Sequence, residues 1–152
     1  EWQKAGQSKQ PAWCYLDNDT LIGKSFGKLY NWFAVNDPRG LAPDGWHVPS
    51  DDEWNKLSNF LGGDSIAGVK LQKSPHLKHY QVSNCSEFSG LLGGSRAKDG
   101  FFYNNIRTGY WWTSSDYDSW AAYGRYIKEY KIDLKTPIVP KEEGLSVRCI
   151  ED

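Results

Sequence analysis

Val48-Pro49-Ser50-Asp51-Asp52-Glu53-Trp54 is the stretch from which the fold of this chain is read. Ser50 and Glu53 have the spacing of a capping box, in which the hydroxyl accepts from the third helical N–H and the carboxylate reaches back to the cap N–H. Pro49, just before the cap, can staple onto Trp54. The spacing therefore predicts a helix that starts at Asp51. Trp54, Leu57, Phe60 and Leu61 then recur at helical intervals and predict one buried face, and Gly62-Gly63 supplies a left-handed stop. Asp51, Asp52 and Glu53 have the look of a metal cluster, but acids in a first turn complement the helix macrodipole, and that structural reading is preferred.

Upstream, Gly27 to Asp37 carries Tyr30, Trp32 and Phe33 and runs into the turn-rich Asn36-Asp37-Pro38-Arg39-Gly40, which reads as a strand or short helix followed by a loop. From Gly90 onward the pattern changes to short strands between Gly, Asn, Asp and Ser clusters: Gly90 to Arg96, Phe101 to Asn104, Gly109 to Ser114, Trp120 to Ile127 and Gly144 to Ile150. In the last, Leu145, Val147 and Cys149 share one face and Ser146, Arg148 and Ile150 the other, which predicts a core strand. Arg148 reads as a buried, hydrogen-bonded structural arginine. The same alternation sends Trp111 and Trp112 to opposite faces, one filling the core and its neighbour facing solvent or a covering loop. Trp32, Trp46, Trp54 and Trp111 are assigned to the core.

With 152 residues, the chain is long enough for one domain that buries roughly 70% of its unfolded surface. No repeat, heptad run or linker-like tract divides it. Charged residues make up 24% and nearly cancel to a net charge of −1, so no global field draws in nucleic acid or an anionic membrane. A membrane-spanning helix needs roughly 18 apolar residues in a row, and even Phe101 to Trp112 is broken by Asn104, Asn105 and Arg107. Methionine is absent and residue 1 is Glu, which fits a mature exported protein or part of a longer one. Cys14, Cys85 and Cys149 show no CxxC spacing and no partnered His, which argues against zinc or thiol-redox chemistry. One Cys14–Cys149 bridge with Cys85 as a buried thiol is expected; three reduced thiols are the alternative.

Trp13-Cys14-Tyr15, the run GKLYNWFAVNDPRGLAPDGWHVPSDDEW from Gly27, Gly93-Gly94, the segment Gly109 to Ser115 and the terminal Gly144-Leu145-Ser146-Val147-Arg148-Cys149 together resemble the Fibrobacter succinogenes major paralogous domain, from about Trp2 to Asp152. That resemblance implies a secreted or cell-surface protein of the kind found in Bacteroidota and Fibrobacterota, often a lipoprotein, with a further amino-terminal segment that begins with a strand. It supplies no molecular activity. More distantly, the order of elements is similar to the C-type-lectin-like and formylglycine-generating-enzyme fold. The implied fold class is α+β, with twisted antiparallel sheets, one or two helices and long loops. Formylglycine-generating enzymes hold copper with two closely spaced cysteines in the carboxy-terminal part, whereas no cysteine occurs between Ser86 and Arg148 here. Calcium-dependent lectins use a Trp-Asn-Asp segment with a Glu-Pro-Asn or Gln-Pro-Asp loop, and neither motif occurs.

Other chemistry is weaker still. Asp17-Asn18-Asp19 opens like a calcium loop, but Leu21 and Ile22 stand where an oxygen ligand and a glycine are required. His76 and His79 have ligand-like spacing in what reads as a solvated loop, with no third ligand apparent. His47 reads as a hydrogen-bonded structural histidine beside the capped helix. Asp19-Thr20-Leu21 and Asp64-Ser65-Ile66 resemble an O-glycosylation acceptor, and Asn84-Cys85-Ser86 a rare N-linked one. No acid, base or nucleophile set converges, so neither enzyme activity nor a cofactor is expected.

The binding reading rests on Phe101 to Tyr126, where rings alternate with polar tips. Tyr and Trp offer large rigid faces at little entropic cost, which suits glycan stacking or a protein epitope. Tyr103, Asn105, Arg107, Tyr110, Trp112, Asp116, Tyr117, Asp118, Trp120 and Tyr123 form the expected ligand surface. In a domain with eight Trp and nine Tyr, at least half of that aromatic-polar stretch is expected to pack the interior. The expectation is a non-catalytic module at the cell surface or outer membrane, binding a glycan or surface protein. A structural subunit that docks onto other domains of an assembly is the alternative.

Overall fold

The fold is seen in a computed structural model that describes residues 1–73, 86–103 and 107–152. Its frame is a capped helix against a three-stranded antiparallel sheet. Helix α4 (Asp51–Phe60) begins where the capping box requires: Ser50 Oγ accepts from the Glu53 N–H at 3.3 Å, and Glu53 Oε2 accepts from the Ser50 N–H at 2.8 Å. Trp54 and Leu61 are buried and Leu57 packs against them. Phe60, expected on that face, is 87% exposed. At about 100° per residue it lies more than a quarter-turn round the helix from both Trp54 and Leu61. Gly62 (φ +101°) and Gly63 (φ +93°) adopt the left-handed conformations that end α4.

Helix α5 (Asp64–Leu71) follows at once and was not expected from the sequence. Gly68 lets it lie flat on the chain at 132–133, where an added Cβ would stand 2.2 Å from the Asp133 carbonyl oxygen. The Val69 N–H donates to the Ile132 carbonyl at 3.0 Å.

The sheet runs β6 (Thr108–Asp116), β7 (Ala121–Lys128), β8 (Ile138–Pro140) in that order. Tyr110 opposes Tyr126, Trp111 opposes Arg125 and Trp112 opposes Gly124, with an irregularity before Asp116 meets Ala122. Residues directly opposite share a face. Trp112, Ala122 and Val139 therefore meet Trp32 and Leu145 on one side, while Trp111 and Ile127 meet Trp54, Leu71 and Leu134 on the other. The pleat separates the two tryptophans as expected, but both sides of the sheet are covered: Trp112 is 0% exposed and Trp111 5%. The Trp112 indole N–H donates to the Tyr30 carbonyl at 2.7 Å, and that of Trp32 to the Thr113 carbonyl at 3.0 Å.

A third cluster of Trp2, Cys14, Leu16 and Leu29 joins α1 (Trp2–Gln7), the antiparallel pair β1 (Trp13–Tyr15) and β2 (Lys28–Tyr30), and α2 (Thr20–Phe26). Buried Asn31 caps α3 (Trp32–Val35), accepting from the Ala34 N–H at 3.1 Å and the Ala12 N–H at 2.9 Å. Strands β4 (Ser95–Arg96) and β5 (Phe102–Tyr103) form a short pair of their own. Of the helices among the described residues only α4 and α5 exceed seven residues, so the class is α+β with few substantial helices and small antiparallel sheets.

The expected terminal core strand is a seam instead of one ladder. Leu145 exchanges hydrogen bonds with Tyr30 at 2.8 and 3.0 Å, and Ser146 bonds to Tyr110 and Trp112 at 3.1 and 3.0 Å, so these residues stitch β2 to β6. Further on, β9 (Ile150–Glu151) pairs with β3 (Trp46–His47). Trp46, assigned to the core, is 45% exposed, because that two-stranded ribbon leaves one of its faces open. Arg148 is exposed too; it is held by donating to the Phe88 carbonyl and by lying 4.6 Å over the Phe88 ring. Cys14 and Cys149 are free thiols, which overturns the expected bridge. Cys14 is sealed in the third cluster beside Arg96, and Cys149 follows the seam; burial pushes both thiols up from their ordinary pKa. Cys85, His76 and His79 lie outside the described residues.

Candidate functional site

The connection from β6 to β7 is a tight loop tied by one carboxylate. Asp118 Oδ1 accepts from the Trp120 N–H at 2.7 Å and the Ala121 N–H at 2.8 Å, while the N–H groups of Asp118 and Tyr117 return to the Ala121 carbonyl at 3.1 and 3.2 Å. A short acidic side chain that bonds to backbone a few residues on is a self-contained turn former. The two backbone N–H groups, with a smaller contribution from Lys141, hold the Asp118 carboxyl below its usual pKa. Lys141 secures the loop from beneath: its Nζ donates to the Asp118 carbonyl at 2.7 Å and to Asp116 Oδ1 at 2.5 Å, and it lies 4.5 Å over the Trp32 ring.

This fixed loop carries its rings outward. Trp120 is 70% exposed and Tyr117 51%. Tyr117 meets Tyr123 edge to face at 5.5 Å, and Lys9 Nζ stands 5.9 Å from the Trp120 ring, within cation–π range. Asp116, Tyr117, Asp118, Trp120 and Tyr123 are thus brought together, as five of the ten residues singled out from the sequence.

The other five do not join them. Trp112 is core. Tyr110 packs on Tyr126 at 5.4 Å and is half-buried against the Trp32 cluster. Arg107 is exposed at the far end of the hairpin, beside the pair Thr108 and Lys128, and a nine-residue strand such as β6 separates its ends by roughly 25 Å. Tyr103 is exposed on β5, in the separate pair with Ser95. Asn105 lies outside the described residues. Arg125, within the same aromatic stretch, is buried and serves α4. Lys141 and Lys9 went unnoticed in the sequence, since Lys141 reads as part of a solvated Lys-Glu-Glu run and Lys9 carries no local signal.

The family model of the Fibrobacter succinogenes major domain matches residues 2–151. The chain belongs to that family. Neither among curated proteins nor among solved structures does the chain find a match. No helix among this family member's described residues is long and apolar enough to cross a membrane. Nor, among those residues, do three His, Cys, Asp or Glu side chains group as a metal site would need. Asp19, in the segment that opens like a calcium loop without its later ligands and that resembles a glycosylation acceptor, caps α2 by accepting from the Leu21 N–H at 2.7 Å.

His47 of this Fibrobacter succinogenes major domain is the hydrogen-bonded histidine expected. Its Nε2 lies 2.9 Å from Glu53 Oε1 and its Nδ1 2.7 Å from Asp152 Oδ1, so it ties β3 to the α4 cap and to the end of the chain. The bonds to Asp152 and Glu53 raise its pKa above the ordinary 6.5. The N–H and hydroxyl of Ser50, with His47, hold the Glu53 carboxyl at about 2, against an ordinary 4.5. A raised histidine stabilises the fold below its unfolded pKa and ceases to as pH climbs through the folded value; a lowered carboxyl does so above its unfolded pKa and ceases to as pH falls through its own. The urea midpoint is therefore expected to be highest between about pH 4.5 and 6.5 and to fall on either side. His47→Gln should flatten the alkaline decline, and an unchanged alkaline limb in that variant would contradict the assignment.

Proposed function

We propose that the chain is a non-catalytic recognition module of the cell surface that binds a glycan at the β6–β7 loop, with Trp120 as the stacking platform. The observation that carries this reading is a tryptophan 70% exposed on a loop held by Asp118 and Lys141. An exposed ring normally gains from burial, and a preorganised one loses little freedom when a ligand covers it. Tyr117 and Tyr123 extend the apolar face, while Asp116 and Lys9 supply polar and charged groups at its edge, a mixture suited to sugar rings, which present C–H faces and hydroxyl rims. A C-type-lectin-like arrangement is proposed for the fold from the element order, and an exported, outer-membrane-associated setting from the family.

Glycan-array binding of the wild type, compared with Trp120→Ala, tests the proposal. Trp120→Ala should lose at least about ten-fold in affinity, the usual effect of truncating a central aromatic contact, with stability unchanged to within about 0.5 kcal/mol. Undiminished binding in Trp120→Ala would reject the site. A wild type that binds no glycan but captures a surface protein through the same loop would replace the ligand class.

A further inference from the structure

A concavity lies between α4 and the segment that leads into β9. It encloses about 380 Å³, within the range of about 300–1,000 Å³ usual for small-molecule sites. Trp54, Leu57, Phe88 and Ile150 form its apolar walls. Phe88 packs edge-on against Trp54 at 5.6 Å and against Trp111 at 5.5 Å, both in the main core cluster, which anchors the two aromatic walls.

Two cations and one carboxylate line the cleft. Lys56 and Arg148 line the cleft and are both exposed, yet neither is ion-paired among the described residues. Arg148 is nevertheless oriented, stacked 4.6 Å over the Phe88 ring with Nη2 donating to the Phe88 carbonyl. Glu53, the one carboxylate on the wall, is already engaged at both oxygens, Oε2 by the Ser50 N–H and hydroxyl at 2.8 and 2.7 Å and Oε1 by His47 at 2.9 Å. An apolar slot with two uncompensated cations at its mouth complements an apolar body that ends in an anion, even in a chain of net charge −1.

We infer that this cleft binds a small amphiphilic carboxylate, an aryl or short-chain alkyl acid, with its apolar part against Trp54, Leu57, Phe88 and Ile150 and its carboxylate toward Lys56 and Arg148. A neutral isostere would fill the slot but leave the cations unanswered, and a cationic one would be repelled.

The test is an NMR titration of the whole chain at low ionic strength with 3-phenylpropionate and with its neutral amide, 3-phenylpropanamide. Saturable shifts are expected at the Trp54 indole and at the Leu57 and Ile150 amides, with the acid bound roughly three- to ten-fold more tightly than the amide, as two partly exposed charge pairs allow. Lys56→Gln combined with Arg148→Gln alters two exposed side chains, so the fold should persist; the acid should then bind no better than the amide. Absence of saturable shifts in the cleft, equal affinity of acid and amide for the wild type, or a preference for the acid that survives in the double variant would each overturn the inference.

Discussion

Asp51→Ala is expected to destabilise the protein by about 3 kcal/mol, because it strands a buried charge. Arg125 has only 1% of its side chain exposed, although it stands in the middle of a sheet strand. Its guanidinium reaches across to the start of α4, donating to Asp51 Oδ1 at 2.6 Å, to the Asp51 carbonyl at 3.1 Å and to Asn55 Oδ1 at 2.9 Å. Removal of the carboxylate leaves a cation in an apolar setting with only neutral acceptors. Arg125→Met should cost less than half as much, since the thioether fills most of the space without charge, and Asp51, 24% exposed, stays in a first helical turn where negative charge is favoured. Urea denaturation of both variants checks the order; a larger loss in Arg125→Met than in Asp51→Ala would contradict this account.

Trp112→Ala should be at least as damaging, costing about 3–5 kcal/mol. The ring is fully buried among Trp32, Ala122, Val139 and Leu145, and its indole N–H satisfies the Tyr30 carbonyl where β2 meets the carboxy-terminal seam. Its loss would open a cavity and remove one of the two bonds that the Tyr30 carbonyl accepts, the other coming from the Leu145 N–H, at the junction of three chain segments. The contrast with Trp120 is the informative part: two tryptophans in one hairpin, one whose removal should cost several kcal/mol and one whose removal should leave stability untouched. Equal melting temperatures for Trp112→Ala and the wild type would contradict the packing described here.

How much of this was legible in the sequence follows from the range of the interactions involved. The start of α4 was legible because Ser50 and Glu53 act within one turn. The division of Trp111 from Trp112 was legible because it depends only on the period of a strand. That Trp112 is covered was not, since its cover comes from Trp32, Val139 and Leu145, which local alternation does not bring together. Helix α5 escaped notice for a related reason: Gly68, a helix weakener by propensity, is placed there by the backbone at Asp133. The terminal segment announced its burial through Leu145 but not its partners, because β2 and β6 lie on opposite sides of it. In the loop, Asp118 and Trp120 could be found from composition alone, whereas Lys141 matters only because the return to β8 brings it underneath.

The most direct measurement follows the indole N–H resonances of all eight tryptophans while the protein is titrated with a soluble cell-surface polysaccharide preparation. Stacking at the β6–β7 loop should shift Trp120 in a saturable way and leave Trp111 and Trp112, sealed on either face of the sheet, where they were. A titration that moves the resonances of Trp13 or Trp46 while Trp120 stays still would place recognition elsewhere and contradict the account.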